Sequence, residues 1–344
     1  MKDSIGICLI GAGRAGMIHA RNFAASVPGA HMAAVADVAE ENVRAAAKEL
    51  GCDWYTDIAQ VFTNPAVDAV VVATPTKYHC GIVLQAAAAG KHILCEKPMA
   101  MDAAECRAMM KATRDGGVKL QLGFMRRFDE NFRRAKEIAG SGEIGEVVSV
   151  KSLTRGPSTP REWMYDITKS GGPLAEVNSH DMDTLRWLTG SEALSVYAIG
   201  GNFRCDAARE RYPDFYDTVL MNVRMVSGAI GNIDGAQGVE YGYDARVDIL
   251  GTKGCIQVGD LRGKSTMVCS KRGGMVSDSV QSWMTLFSAA YLEEDRDFVR
   301  CIREDRTPAI GGKDGLMAVK MVQAGNESLR TGQVISLEQE DAAC

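Results

Sequence analysis

Ile5-Gly6-Ile7-Cys8-Leu9-Ile10-Gly11-Ala12-Gly13-Arg14-Ala15-Gly16 runs a short apolar segment, rich in isoleucine, into three closely spaced glycines. Ile5 to Ile10 has the composition of a buried strand, and Ala15 to Ala25 reads as a helix. A strand, a glycine turn and a helix in that order assign each glycine a separate task. Gly11 permits the tight turn, Gly13 lets backbone approach a pyrophosphate, and Gly16 lets helix and strand pack closely. Gly11, Ala12, Gly13, Arg14, Ala15 and Gly16 are therefore candidate cofactor-binding residues, with N–H groups at the helix start facing the phosphates. The second strand, His31 to Ala36, ends at Asp37, about twenty residues on, where a carboxylate accepts from both ribose hydroxyls. Its charge repels a 2′-phosphate, and no arginine follows directly. NAD is expected rather than NADP.

The alternation continues outward from there. A helix over Val38–Leu50 stops at Gly51, and Val67–Ala73 is a continuous apolar run, as in a strand covered on both faces. Tyr78–Ala89 is helical up to Gly90, Lys91–Cys95 is a strand, Asp102–Arg114 a helix and Val118–Phe124 a strand. This pattern predicts a Rossmann-type doubly wound parallel sheet over residues 1–122. Ligands of such sheets bind outside the carboxyl ends of strands. Two strand ends carry suitable residues: Thr74, Pro75 and Thr76 with His79 a turn later, and Glu96 with Lys97 before Pro98. All six are candidate cofactor-binding residues.

After Gly123 the rhythm changes. Helices are predicted over Asn131–Ala139, Leu174–Leu188, Tyr291–Arg303 and Asp314–Leu329. Strands are predicted over Val147–Leu153, Leu194–Ile199, Thr218–Met225, Ala229–Gly235, Arg246–Leu250 and Gly254–Val258. Residues 123–344 should form an α+β domain: a mostly antiparallel open sheet with helices on one face. The other face of such a sheet calls for a cover, so a homo-oligomer, dimer or tetramer, is expected.

A chain of 344 residues accommodates two domains. A net charge of −5 offers no attraction to nucleic acid or anionic membrane, and no apolar run is long enough to span a bilayer. Met1-Lys2-Asp3-Ser4 leads straight into an apolar strand without a signal-peptide layout, from which a cytoplasmic protein is expected. The ten cysteines are scattered, form no C-x-x-C pair and read as reduced, buried small hydrophobes, as in Ile7-Cys8-Leu9. Clustered Cys and His are missing, so no metal is expected.

Taken together, Gly11–Gly16, Asp37, Thr74-Pro75 with His79, Glu96-Lys97-Pro98, Gly171-Gly172, His180-Asp181-Met182-Asp183 leading into Arg186-Trp187-Leu188, and Asp314-Gly315 resemble the glucose–fructose oxidoreductase / inositol dehydrogenase (Gfo/Idh/MocA) family over nearly the whole chain. Arg155-Gly156-Pro157, Tyr241 through Arg246 and Gly251-Thr252-Lys253-Gly254 resemble its inositol 2-dehydrogenase branch. The resemblance implies an NAD-dependent dehydrogenase that oxidises a secondary hydroxyl of a cyclic polyol to a ketone, with Lys97, residue 176 and His180 as the catalytic trio. The inositol enzymes carry aspartate where this chain has Glu176, which moves the carboxylate by about one C–C bond. Pro173 stands where a glycine is expected.

In that scheme the cofactor carries the hydride chemistry, and the protein positions the carbinol and accepts its proton. Positions 176 and 180 are i, i+4 on the predicted helix and project from one face. His180 is the general base, with a reference pKa near working pH. Glu176 raises its basicity and binds a neighbouring hydroxyl. Lys97 donates to the reacting oxygen. Lys97, Glu176 and His180 thus also bind substrate, and Arg127, Asp129, Trp163, Tyr165 and Tyr243 are candidates to line the pocket. Three other readings stand beside this one: oxidation of a sugar or glucoside hydroxyl, glycoside cleavage with NAD retained, and an NAD-binding sensor without catalysis.

Overall fold

The computed structural model describes residues 4–339 and divides the chain into two compact units. The first takes in residues up to Phe128 together with Ser288–Val319; the second takes in Asp129–Phe287 and the chain from Lys320 onward.

In the first unit β1 (Ile5–Ile10), β2 (Ala30–Ala36), β3 (Asp53–Tyr55), β4 (Ala69–Val72), β5 (His92–Glu96) and β6 (Leu120–Gly123) form a parallel sheet ordered β3-β2-β1-β4-β5-β6. β1 and β4 are buried at every position, which their unbroken apolar runs require, because helices cover both faces. The order reverses between β1 and β4, the switch point outside whose carboxyl ends such sheets bind ligands. The expected doubly wound sheet is present, with the short β3 and the helix Ala59–Thr63 as additions too brief to leave a periodic signal.

The expected division at 122/123 is corrected by the segment Ser288–Val319. Phe298 and Val299, on the helix Ser288–Arg303, are buried with Ile7, Leu9, Phe23 and Val35 on one face of the parallel sheet. Ile310, Leu316, Ala318 and Val319 join Val70, Val72, Met99 and Leu122 on the other. Each large apolar side chain so buried contributes roughly 2 kcal/mol. Helical periodicity marks an apolar face but does not say which sheet it will cover.

The second unit is built on β7 (Val147–Gly156), β8 (Ala193–Gly201), β9 (Thr218–Met225), β10 (Ile230–Gln237), β11 (Asp244–Gly251) and β12 (Cys255–Val258). An exposed ribbon, β13 (Arg262–Ser270) with β14 (Gly274–Ser279), comes next; β15 (Ile335–Ser336) closes the main sheet, ordered β12-β11-β7-β10-β9-β8-β15. All its neighbours are antiparallel except β7 with β10. β9 alternates strictly, Val219, Met221, Val223 and Met225 inward, so one face of the sheet makes a core and the other is bare.

The nine described cysteines are free. Cys8, Cys95, Cys106, Cys205 and Cys301 are buried as expected, and burial pushes the Cys106 thiol up to about 12. Cys255 and Cys269 are exposed, against expectation, and Cys344 lies outside the described residues. Among the described residues no helix is long and apolar enough to cross a membrane.

Candidate active site

At the carboxyl end of β1 the chain's own backbone closes two of the three glycine positions to any side chain. Gly11 has φ +103°, and a Cβ there would lie 2.7 Å from the Ala73 carbonyl oxygen; at Gly16 it would lie 2.2 Å from that of Gly11. Gly13 differs: nothing stands within 4 Å of the position its Cβ would take. The helix Arg14–Ala25 starts there with no side-chain cap and no acidic residue in its first turn, leaving its positive end toward that open space. Asp37 accepts from the Ala12 N–H at 2.8 Å and the Ala39 N–H at 2.9 Å, fixing the turn from β2. Each carboxylate oxygen keeps a further lone pair for a ribose hydroxyl. At the end of β4 the Thr74 hydroxyl is buried with no hydrogen-bond partner among the described residues. These residues fit a dinucleotide, pyrophosphate at Gly13 and adenosine ribose at Asp37.

His79 and Glu96, expected as cofactor contacts, are each bonded within the first unit. His79 is buried, with Nδ1 2.9 Å from the Pro98 carbonyl and Nε2 2.7 Å from that of Thr74. A neutral ring has a single N–H and donates to one of these carbonyls at a time, and it ties together the loops after β4 and β5. Burial holds its pKa below the ordinary value, against the pull of the two carbonyls. Pro75 and Thr76 lie between β4 and that ring, Thr76 buried at the start of a short 3-10 turn. The Glu96 carboxylate is bonded at both oxygens: Oε2 accepts the Lys97 N–H at 3.0 Å, and Oε1 lies 3.1 Å from Nε2 of His19. Lys97 itself is half-buried.

His19, fully buried, faces a second carboxylate, Asp295, at 2.6 Å from Nδ1. Burial opposes a charge on this ring, but Asp295 and Glu96 outweigh it and hold the imidazole well above its usual pKa. The next residue, Glu294, is also fully buried, and neither of its carboxyl oxygens has a hydrogen-bond partner among the described residues. Burial pushes its pKa well above the usual range; His19 pulls the other way, and Glu96, Asp295 and Asp297 add to the rise. The native state therefore keeps a proton that the unfolded chain releases above its ordinary carboxylate pKa. Stability should fall as pH rises through that window, by up to roughly 1.4 kcal/mol per pH unit. Glu294→Gln removes this dependence: the Tm difference, variant minus wild type, should grow steadily from pH 5 to pH 8. A constant difference would show that Glu294 is ionised in the folded protein.

In the second unit, the single helix expected over Leu174–Leu188 is corrected to two, Gly172–Glu176 and Ser179–Thr189, broken at Val177–Asn178. Pro173 falls in the first turn, where a missing N–H leaves no bond unmade. Glu176 thus closes one helix and His180 stands in the first turn of the next, so the i, i+4 argument no longer sets their directions. The turn before them is anchored: Asn326 donates to the Gly171 carbonyl at 2.7 Å and accepts from the Tyr216 hydroxyl at 2.6 Å, which in turn accepts the Leu174 N–H.

What holds His180 from below was missed in the sequence. Asp181, fully buried, accepts from Ser152 at 2.5 Å, Thr154 at 2.9 Å and the Asn178 amide at 2.8 Å. Asn178 fits because Gly235 faces it; a Cβ on Gly235 would lie 2.1 Å from Asn178 Oδ1. A signal existed: Val150, Ser152 and Thr154 share the buried face of β7, and two hydroxyls on an inward face announce a polar partner.

The pocket candidates separate. Arg127 is paired with Asp314 at 2.8 Å. Asp129 caps the helix Glu130–Ser141, its Oδ1 accepting from the N–H groups of Asn131 and Phe132. Tyr165 packs among Tyr212, Phe215, Cys205 and Ala208 and belongs to a small core. Tyr243 is buried edge-on against Phe287, and Trp163 keeps its ring exposed.

Comparison with known proteins agrees with this anatomy. Residues 5–124 match the oxidoreductase family with NAD-binding Rossmann fold, and residues 132–257 match the GFO/IDH/MocA C-terminal domain. The chain is 33% identical to scyllo-inositol 2-dehydrogenase (NAD(+)) of Bacillus subtilis over 98% of each chain. It is 33% identical to myo-inositol 2-dehydrogenase of Thermotoga maritima over 97% of this chain and 98% of that one. The scyllo-inositol dehydrogenase of Lactobacillus casei, solved with NAD(H) and scyllo-inositol, superposes with a TM-score of 0.89 at 28% identity, covering 97% of this chain and 99% of the other.

Proposed function

The chain belongs to the GFO/IDH/MocA family of NAD-dependent oxidoreductases, and we propose that it oxidises a secondary hydroxyl of an inositol-like cyclic polyol to the ketone. The observation that carries this reading is similarity along almost the entire length, substrate half included, to proteins named for inositol oxidation. Bound NAD supplies the hydride acceptor. His180 takes the hydroxyl proton as it becomes acidic, Glu176 accepts from a neighbouring ring hydroxyl, and Lys97 donates to the oxygen that gains alkoxide character. Thr74 and Pro75 contact the nicotinamide end of the cofactor, and Arg127, Trp163 and Tyr243 contribute to the polyol pocket. Glu176 in place of aspartate favours a second substrate class, a sugar or glucoside whose neighbouring hydroxyl stands about one bond length away.

We propose a cytoplasmic enzyme that draws on NAD as its oxidant. We also propose a homo-oligomer, dimer or tetramer, covering the bare face of the second sheet. Tyr197, Ile199, Leu220, Ile230 and Leu250 are exposed there, apolar side chains that a second copy would cover.

NADH formation, followed by its absorbance with myo-inositol, scyllo-inositol, glucose and a glucoside, tests the reading. Turnover should be fastest with an inositol and with NAD over NADP. A sugar released from the glucoside without net NADH would replace it with the hydrolase reading. NAD binding with no turnover of any polyol or sugar would replace it with the sensor.

A further inference from the structure

His19 sits on the helix after the glycine turn, Glu96 at the last position of β5, and Asp295 on the helix Ser288–Arg303, distant in sequence and adjacent in space. Both nitrogens of the ring meet carboxylate oxygens, at 2.6 and 3.1 Å. Each contact needs a proton between nitrogen and oxygen, so two protons are held among three groups. An imidazolium between two carboxylates satisfies this, as does a neutral ring between one carboxylate and one carboxylic acid. Either way the trio carries one net negative charge, buried.

That charge is tied to the active-site loop. Glu96 uses its other oxygen to accept the N–H of Lys97, and Gly123, its register partner on β6, leaves the space: a Cβ there would lie 3.1 Å from the Glu96 carboxyl. Asp295 is fixed in turn by the Asn22 amide at 2.8 Å, and Tyr291 packs edge-on against the His19 ring. Glu294, protonated, adds no charge, and Asp297 is engaged by Arg300 and Arg306. A hydrogen-bonded core histidine needs one acceptor for its N–H; two carboxylates around one ring, one of them bonded to the chain at Lys97, is more than burial alone requires.

We propose that His19, Glu96 and Asp295 are positioning residues for Lys97: a buried carboxylate–imidazole–carboxylate relay that fixes the backbone at the end of β5 and supplies a permanent counter-charge beside the lysine. This rests on the reading of Lys97 as the group that stabilises the developing alkoxide. Catalytic groups held by a second layer of hydrogen bonds keep their geometry through the reaction.

Glu96→Gln keeps an acceptor for the Lys97 N–H and removes the charge, Asp295→Asn does the same at the far end, and His19→Gln breaks the relay in the middle. In the full chain each should lower kcat by roughly 10- to 100-fold. NAD affinity and the polyol KM should stay within about threefold of wild type. Lys97 should react faster with a trace amine-acylating reagent, read by mass spectrometry, in Glu96→Gln than in wild type, because a neutral acceptor holds its backbone N–H less tightly than the carboxylate does. Unchanged kcat and unchanged Lys97 labelling, with only Tm lowered, would overturn the proposal and leave the cluster a structural knot. If wild type oxidises no polyol, the functional reading fails separately, and labelling alone decides the relay. If Glu96→Gln does not fold, Asp295→Asn decides it by both readouts.

Discussion

Replacing His180 with alanine is expected to lower turnover of the polyol by about 10²–10⁴-fold, the usual worth of a positioned general base. NAD affinity should be unchanged, because the turn at Gly11–Gly16 and Asp37, which fit the cofactor, lies in the other unit. The effect should fall on kcat and kcat/KM alike, as for an interaction made in the transition state and absent from the ground state. A second variant sharpens the test: His180→Gln, which keeps a hydrogen-bonding side chain but cannot take up the proton, should lose nearly as much as the alanine. Turnover within a few-fold of wild type would remove His180 from the mechanism and, with it, the roles assigned to Glu176 and Lys97.

What could be read from the sequence was local. The glycine turn needs only the dihedral angle at Gly11 and two close backbone approaches, all within one strand–turn–helix. Asp37 is set by the length of a single β-α-β unit. Gly51 and Gly90 end their segments with positive φ, as their positions predict. The rest depended on partners far along the chain. His19 and Asp295 are 276 residues apart, and no spacing rule reaches that far. His19 has the pattern of an ordinary buried residue on an amphipathic helix, and Glu96, beside a lysine at a strand end, reads as a ligand contact until its second oxygen is accounted for. The break at Val177–Asn178 was equally hidden, because apolar residues on either side keep the same period. The cause is the fit of Asn178 against Gly235, which belongs to tertiary packing.

Asp181→Ala should be the most damaging substitution in the second unit. The carboxylate is fully buried and accepts from Ser152, Thr154 and Asn178. Removing it strands three donors in a place water does not reach, at a cost of about 3–5 kcal/mol. That is a large share of the roughly 5–15 kcal/mol typical of a whole domain, and should lower Tm by roughly 10 °C or more in a scanning denaturation measurement. Asp181→Asn separates charge from shape. Its oxygen can still receive both hydroxyls, and its new amide would face Asn178, whose own Oδ1 is buried with no partner among the described residues. A turn of the Asn178 amide brings that oxygen round to accept, so the asparagine variant should lose less than half of what the alanine variant loses. Since residue 181 adjoins His180, a shift of this network should also appear in kcat for the folded asparagine variant. Two variants of equal Tm would mean that bond geometry at Asp181 does not matter and that charge alone holds β7 to the helix Ser179–Thr189; two variants as stable as wild type would mean that neither does.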